Sequence, residues 1–160
     1  MAIEKVRAFF ASFGEENRII EFSVSSATVA LAAEALGCKP ERIAKTLSFL
    51  VDGNPILIVA AGDAKIDNKK YKEYFATKAR MLSPDQVSLL IGHEVGCVCP
   101  FAVKDGVTTY LDESLKRFQT VFPACGSSNS AIELSIPELE KYSGYKTWIS
   151  VCRLPEEQTK

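Results

Sequence analysis

Two apolar runs, Lys45 to Val51 and Ile56 to Ala61, flank Asp52-Gly53-Asn54-Pro55, and this arrangement constrains the fold more than any other feature of the chain. The connecting residue types suit a tight reversal, so a central β-hairpin is predicted. Ile56-Leu57-Ile58-Val59-Ala60-Ala61 is apolar throughout, as expected of a strand covered on both faces. With 47% of 160 residues hydrophobic, enough apolar side chains remain to supply that cover within one sizeable core, hence one domain.

The covering elements are legible on either side. Ile3, Val6, Phe9, Phe10 and Phe13 recur at helical spacing and Gly14 follows as a C-cap, so the chain opens with an amphipathic helix. Arg18 to Ser23 reads as a strand, Ser25 or Ser26 caps a helix to Leu36, and Gly37 with Pro40 closes it. Asp67 to Phe75 suits a basic helix and Ala79 to Leu82 a short strand. Ser83-Pro84-Asp85-Gln86 and Ser135-Ile136-Pro137-Glu138 each join an N-cap, an early proline and a capping-box residue, opening helices of which the first runs to about Ile91. A loop follows from Gly92 to Gly106; Val107 to Leu111, Gln119 to Ala124, Ala131 to Leu134 and Thr147 to Cys152 read as strands. Helices among hairpins in irregular order predict an α+β domain over residues 1–152, with 153–160 as a polar tail.

Nineteen Lys and Arg against 20 Asp and Glu argue against a uniformly basic nucleic-acid coat, and no DNA partner is expected. No apolar run is long enough to cross a membrane, and charge at Glu4, Lys5 and Arg7 interrupts any signal-like start. The five cysteines are odd in number in a chain that needs no staples, which suits reduced thiols and a cytoplasmic address.

Lys45, at the entry of an apolar strand, either snorkels to solvent or serves as a fixed positive charge in a site. The Gly96 to Pro100 loop could aim backbone groups at a ligand or be a plain turn. Cys97, Cys99, Cys125 and His93 admit a zinc site or a Cys-His nucleophile, but the spacing lacks paired C-x2-C and no third orienting residue is evident; apolar thiols are the plainer reading. Gly126-Ser127-Ser128-Asn129-Ser130 would suit an anion or ribose hydroxyl, yet no phosphate-binding or dinucleotide glycine motif occurs. Between Lys65 and Arg80, six basic residues face two acidic ones, with Tyr71, Tyr74 and Phe75 interleaved. Lys65, Lys69, Lys70 and Lys72 are therefore candidate RNA-phosphate contacts, or else a solvated helix face.

Taken together, Ile43-Ala44-Lys45-Thr46-Leu47, Gly92 to Pro100, and Phe118 to Gly126 with Ala131 to Leu134 resemble the YbaK/ProX family of aminoacyl-tRNA deacylases, which is similar to the editing domain inserted in some prolyl-tRNA synthetases. The resemblance implies an α+β fold around a strongly curved mixed sheet. It implies hydrolysis of the ester joining a wrong amino acid to tRNA, without cofactor or metal. Aminoacyl-tRNA, in particular tRNA(Pro), is the implied partner, with prolyl-tRNA synthetase a second. Lys45 and Gly96 are the implied catalytic positions, with Phe22, Thr46, Cys97, Val98, Pro100, Cys125, Gly126 and Ser127 around the substrate. The segment after Gly126 looks like the ProX-type variant, which implies alanine, cysteine or another small amino acid as the residue removed. A non-catalytic module that binds the tRNA end or a free amino acid is the competing reading.

Overall fold

A computed structural model describes residues 2–155. In chain order its elements are α1 (Ala2–Ala11), β1 (Ile20–Glu21), α2 (Val29–Leu36), β2 (Ile43–Val51), β3 (Asn54–Ala61), β4 (Lys65–Ile66), α3 (Asn68–Phe75), α4 (Pro84–Gln86), β5 (Thr108–Asp112), β6 (Thr120–Pro123), β7 (Ser130–Ala131), β8 (Leu134–Ser135), α5 (Ile136–Ser143), β9 (Thr147–Ile149) and β10 (Cys152–Arg153). Six strands form one curled mixed sheet in the order β8-β6-β2-β3-β5-β9, and the fold is α+β. β2 and β3 are antiparallel, while β6 and β5 join them in parallel on either side.

The central hairpin forms as expected but with a tighter turn. Val51 pairs with Asn54, so only Asp52 and Gly53 bridge the strands, both at positive φ (51° and 80°), which matches the twist of a hairpin. β3 is covered on both faces: Ile56 and Ile58 join Val6 and Phe10 of α1 in the main core, whereas Leu57 packs with Leu82, Val87 and Ile91. Each fully buried aliphatic side chain there contributes about 1.5–3 kcal/mol. Phe10 also meets Phe101 and Tyr142 edge-on, tying α1 to α5.

Local signals predicted both capping boxes, which form at Ser83 and Ser135. Several other expectations need correction. α2 is capped by Thr28, whose side chain accepts from Leu31 N, because Ser25 and Ser26 turn instead to the Ser128 carbonyl. The strand expected over Arg18 to Ser23 shrinks to Ile20–Glu21 behind a 3-10 turn, and that over Ala79 to Leu82 to a single bridge between Met81 and Phe49. Ala131 to Leu134 divides into β7 and β8, which pair with different partners, and Ile132 N bonds the Pro123 carbonyl between them. Thr147 to Cys152 divides likewise: β9 closes the main sheet while β10 turns away to pair with β4. The helix after Ser83 widens into a π-turn from Val87 to Ile91. Of the expected tail, Arg153 lies in β10, and the positions from 156 onward lie outside the described residues.

Arg18 staples the N-terminal segment to α5, bonding Glu138 at 2.6 Å and the Glu133 carbonyl at 2.7 Å. The guanidinium holds the Glu138 carboxyl down at about 2, against a usual 4.5. A depressed carboxylate stabilises the fold above its unfolded value and loses that contribution as pH falls from about 4.5 toward 2. The pair is partly exposed, so its contribution is about 1 kcal/mol. Thermal unfolding at pH 6 and pH 3 checks this: Glu138→Gln is expected to lose stability at pH 6 and to show a flatter decline toward pH 3.

Candidate active site

β2 lays Lys45 and Thr46 along a cavity of about 380 Å³. The N-terminus of α2 supplies Thr28 and Val29, the turn before it Ser26 and Ala27, the 95–98 loop supplies Val95, Gly96 and Val98, and Phe122, Ala124 and Ser130 close the far side. The walls are mainly aliphatic with few polar groups, the usual make-up of a small-molecule site. Val95 and Met81, 59% and 58% exposed, give its mouth an apolar rim.

Lys45 does not snorkel freely. Its Nζ donates to the Gly62 carbonyl at 3.3 Å and to the Ala64 carbonyl, which leaves one of its three N–H donors for a ligand. Burial lowers its pKa below the usual 10.5, with Cys152 and Asp63 acting in the opposite direction. Gly62 is the position that sequence reasoning passed over. A Cβ there would lie 2.1 Å from the Pro40 carbonyl oxygen and 2.8 Å from Val29 Cγ1, so only glycine admits this approach of α2 and the Pro40 turn to the end of β3. The small-residue run Ala60-Ala61-Gly62 was the signal available.

Gly96 occupies the third position of a turn closed by Cys97 N to Glu94 O at 2.9 Å, with φ +84°. That geometry favours glycine, whereas space does not demand it: the nearest atom to an added Cβ is Ala27 Cβ at 3.8 Å.

A second cavity of about 360 Å³ lies on the other side of this turn, lined by Ser88, Gly92, His93, Glu94, Cys97, Gly126, Ser127 and Ser128. The expected substrate set is thus distributed. Lys45, Thr46, Gly96 and Val98 share the first cavity; Cys97, Gly126 and Ser127 share the second.

Residues 24–142 match the aminoacyl-tRNA editing domain. The chain belongs to that family. It is 57% identical over 154 residues to the uncharacterised protein YwhH of Bacillus subtilis, covering 96% of this chain and 98% of that one. The proline–tRNA ligase of Geobacillus thermodenitrificans is 30% identical over 102 residues, which are 63% of this chain but 18% of the ligase. In fold it is similar to a crystal structure provisionally described as a trans-editing enzyme for prolyl tRNA synthetase (TM-score 0.82, 24% identity, 91% and 94% of the two chains). The hypothetical protein APE2540 matches equally well (TM-score 0.82, 28% identity, 93% and 99%).

The remaining expected residues sit apart from the first cavity. Cys125 is 0% exposed in the main core, and burial pushes its thiol far up; its enclosed side chain lines neither cavity. Pro100 is also buried and lines neither. Phe22 exchanges bonds with Asn129, donating from its N–H and accepting from Asn129 Nδ2, so it anchors the 126–130 loop. His93, 1% exposed, donates Nε2–H to the Phe101 carbonyl at 2.9 Å, leaving Nδ1 buried without a partner. Burial lowers its pKa, so the ring is held neutral. The thiol beside it is neither Cys97 nor Cys125 but Cys99 at 3.6 Å, which burial pushes up to about 12. No three His, Cys, Asp or Glu side chains among the described residues converge as metal ligands. Nor does any described helix have the length and apolar character to cross a membrane.

Proposed function

We propose that this chain is an aminoacyl-tRNA deacylase that removes a small wrong amino acid, alanine or cysteine, from tRNA(Pro), acting in trans in the cytoplasm. One observation carries the reading: a half-buried lysine, tied by two backbone carbonyls, shares a small apolar cavity with the Gly96 turn. That arrangement suits a fixed cation placed where negative charge is present or develops. Water adds to the acyl carbon and gives up a proton, the tetrahedral oxyanion collapses as the bond to the ribose oxygen breaks, and that oxygen takes up the proton the water released. Free amino acid and a terminal ribose hydroxyl result. The remaining Lys45 N–H is available to the oxyanion or the terminal phosphate, and the Gly96 turn offers backbone groups to the amino acid. An aliphatic cavity of about 380 Å³ is near the lower end for ligand sites, which favours a small side chain.

Incubation with alanyl- and cysteinyl-tRNA(Pro), following ester loss, tests the proposal; inactivity on every small mischarged amino acid overturns it. Tight tRNA binding without turnover would instead assign the chain to non-catalytic binding. Cys97, a half-buried thiol at the second cavity, has its pKa raised by burial and by Glu94, the reverse of what activates a nucleophile. Cys97→Ser is therefore expected to keep kcat/KM within about twofold of wild type, whereas a thiol enzyme would lose its activity.

A further inference from the structure

Antiparallel pairing of β4 with β10 sets Lys65 directly opposite Arg153. Like charges at such a cross-strand position oppose pairing, and the ladder has one other rung, Ile66 with Cys152, to offset them. Two acidic neighbours are committed elsewhere, Asp63 to Arg117 at 2.5 Å and Asp67 to the Lys69 and Lys70 N–H groups as the N-cap of α3, while Glu73, exposed on α3 itself, is the one acidic residue within that helix. Lys69 and Lys72 lie one turn apart on α3, and both are exposed, as are Lys65 and Arg153. Among the described residues no carboxylate is within ion-pair distance of these four. Lys70 differs, because its Nζ donates to the Cys152 carbonyl at 3.0 Å and fastens α3 to β10.

The location of this basic ridge bears on which polyanion it fits. Ala64, whose carbonyl holds the Lys45 ammonium, is the residue immediately before Lys65. The ridge therefore begins one peptide beyond the group that positions Lys45. With a net charge of −1 over the whole chain, the remaining surface is acidic on balance, so a polyanion is drawn to this strip and not to the protein at large.

We propose that Lys65, Arg153, Lys69 and Lys72 form the surface that receives the sugar-phosphate backbone of the RNA whose esterified end enters the Lys45 cavity. The proposal rests on the deacylase reading for its choice of RNA, and it adds Arg153, which no sequence pattern marked. Binding of an uncharged tRNA acceptor-stem minihelix, followed by anisotropy across a salt series, tests it independently of turnover. Removing one cation that neutralises a phosphate lowers the log-log salt slope by about 0.7–0.9, so Lys65→Gln with Arg153→Gln is expected to lower it by about 1.4–1.8 and to weaken low-salt binding roughly tenfold. On mischarged minihelix the same double variant is expected to raise KM about tenfold with kcat within about twofold, and to leave hydrolysis of a phosphate-free alanine ester unchanged. An unchanged salt slope, an equal loss on the phosphate-free ester, or tighter wild-type binding to phosphatidylserine vesicles than to the minihelix overturns the proposal. If wild type fails to hydrolyse any ester, a slope lowered by the double variant still supports the ridge while the deacylase reading falls.

Discussion

Lys45→Met is expected to lower kcat/KM on mischarged tRNA by about 10²–10³-fold while leaving the thermal midpoint within a few degrees of wild type. The asymmetry follows from where the ammonium sits. Its charge is penalised by burial in the folded chain, so removing it relieves a cost even as the bonds to Gly62 and Ala64 disappear. The signs with pH are separable. Because folding lowers the lysine pKa, the unfolded chain binds its proton more tightly, and wild-type stability gains from Lys45 as pH rises from the lowered value to the usual 10.5. Lys45→Met should lack that alkaline gain. Activity runs the other way: if the ammonium is the working form, acceleration over spontaneous ester loss declines at a pH below that of an ordinary lysine. A variant that matches wild-type turnover would remove Lys45 from the chemistry. Lys45→Arg is not expected to rescue, since a planar fork cannot reproduce two bonds to carbonyls aimed at one nitrogen.

Gly62→Ala is expected to cost about 3 kcal/mol, the upper part of the range for overpacking, because the atom met at 2.1 Å is backbone and cannot rotate aside. For a chain of this size that is a drop of roughly 6–12 °C in the thermal midpoint. Relief requires either the Pro40 turn and α2 or residue 62 itself to shift, and a shift of residue 62 displaces the carbonyl that holds Lys45. Deacylation should therefore fall more than unfolding at the assay temperature explains, with kcat affected more than KM. Gly96→Ala is the contrast: its added Cβ meets nothing closer than 3.8 Å, so only its backbone angle is at issue. Equal midpoints for Gly62→Ala and wild type would mean that this close approach is not maintained in solution.

Residues that act through their own neighbours in sequence were legible. Both capping boxes and the central hairpin follow from side chains bonding backbone two or three positions away, or from a period that the next residue confirms. Lys45 stood out for the same reason, as a cation in an apolar strand. Short strands failed most often: Ser130 to Ser135 holds two, turned to different partners, and no local pattern distinguishes one strand from two when each contributes two residues.

The candidate site was legible in its residue types and not in its grouping. Gly96 and Cys97 are adjacent, yet the turn they share sends one to each of two cavities, and Cys125 and Gly126 part in the same way between the core and the second cavity. The sequence by itself determined an α+β chain built on one buried hairpin, with a lysine at its entry, because periodicity and capping are settled within a few residues. Only the tertiary structure decided that Gly62 supports that lysine, that His93 faces Cys99, and that Arg153 stands opposite Lys65, because each depends on contacts between segments far apart in the chain, where packing and strand register choose the neighbours.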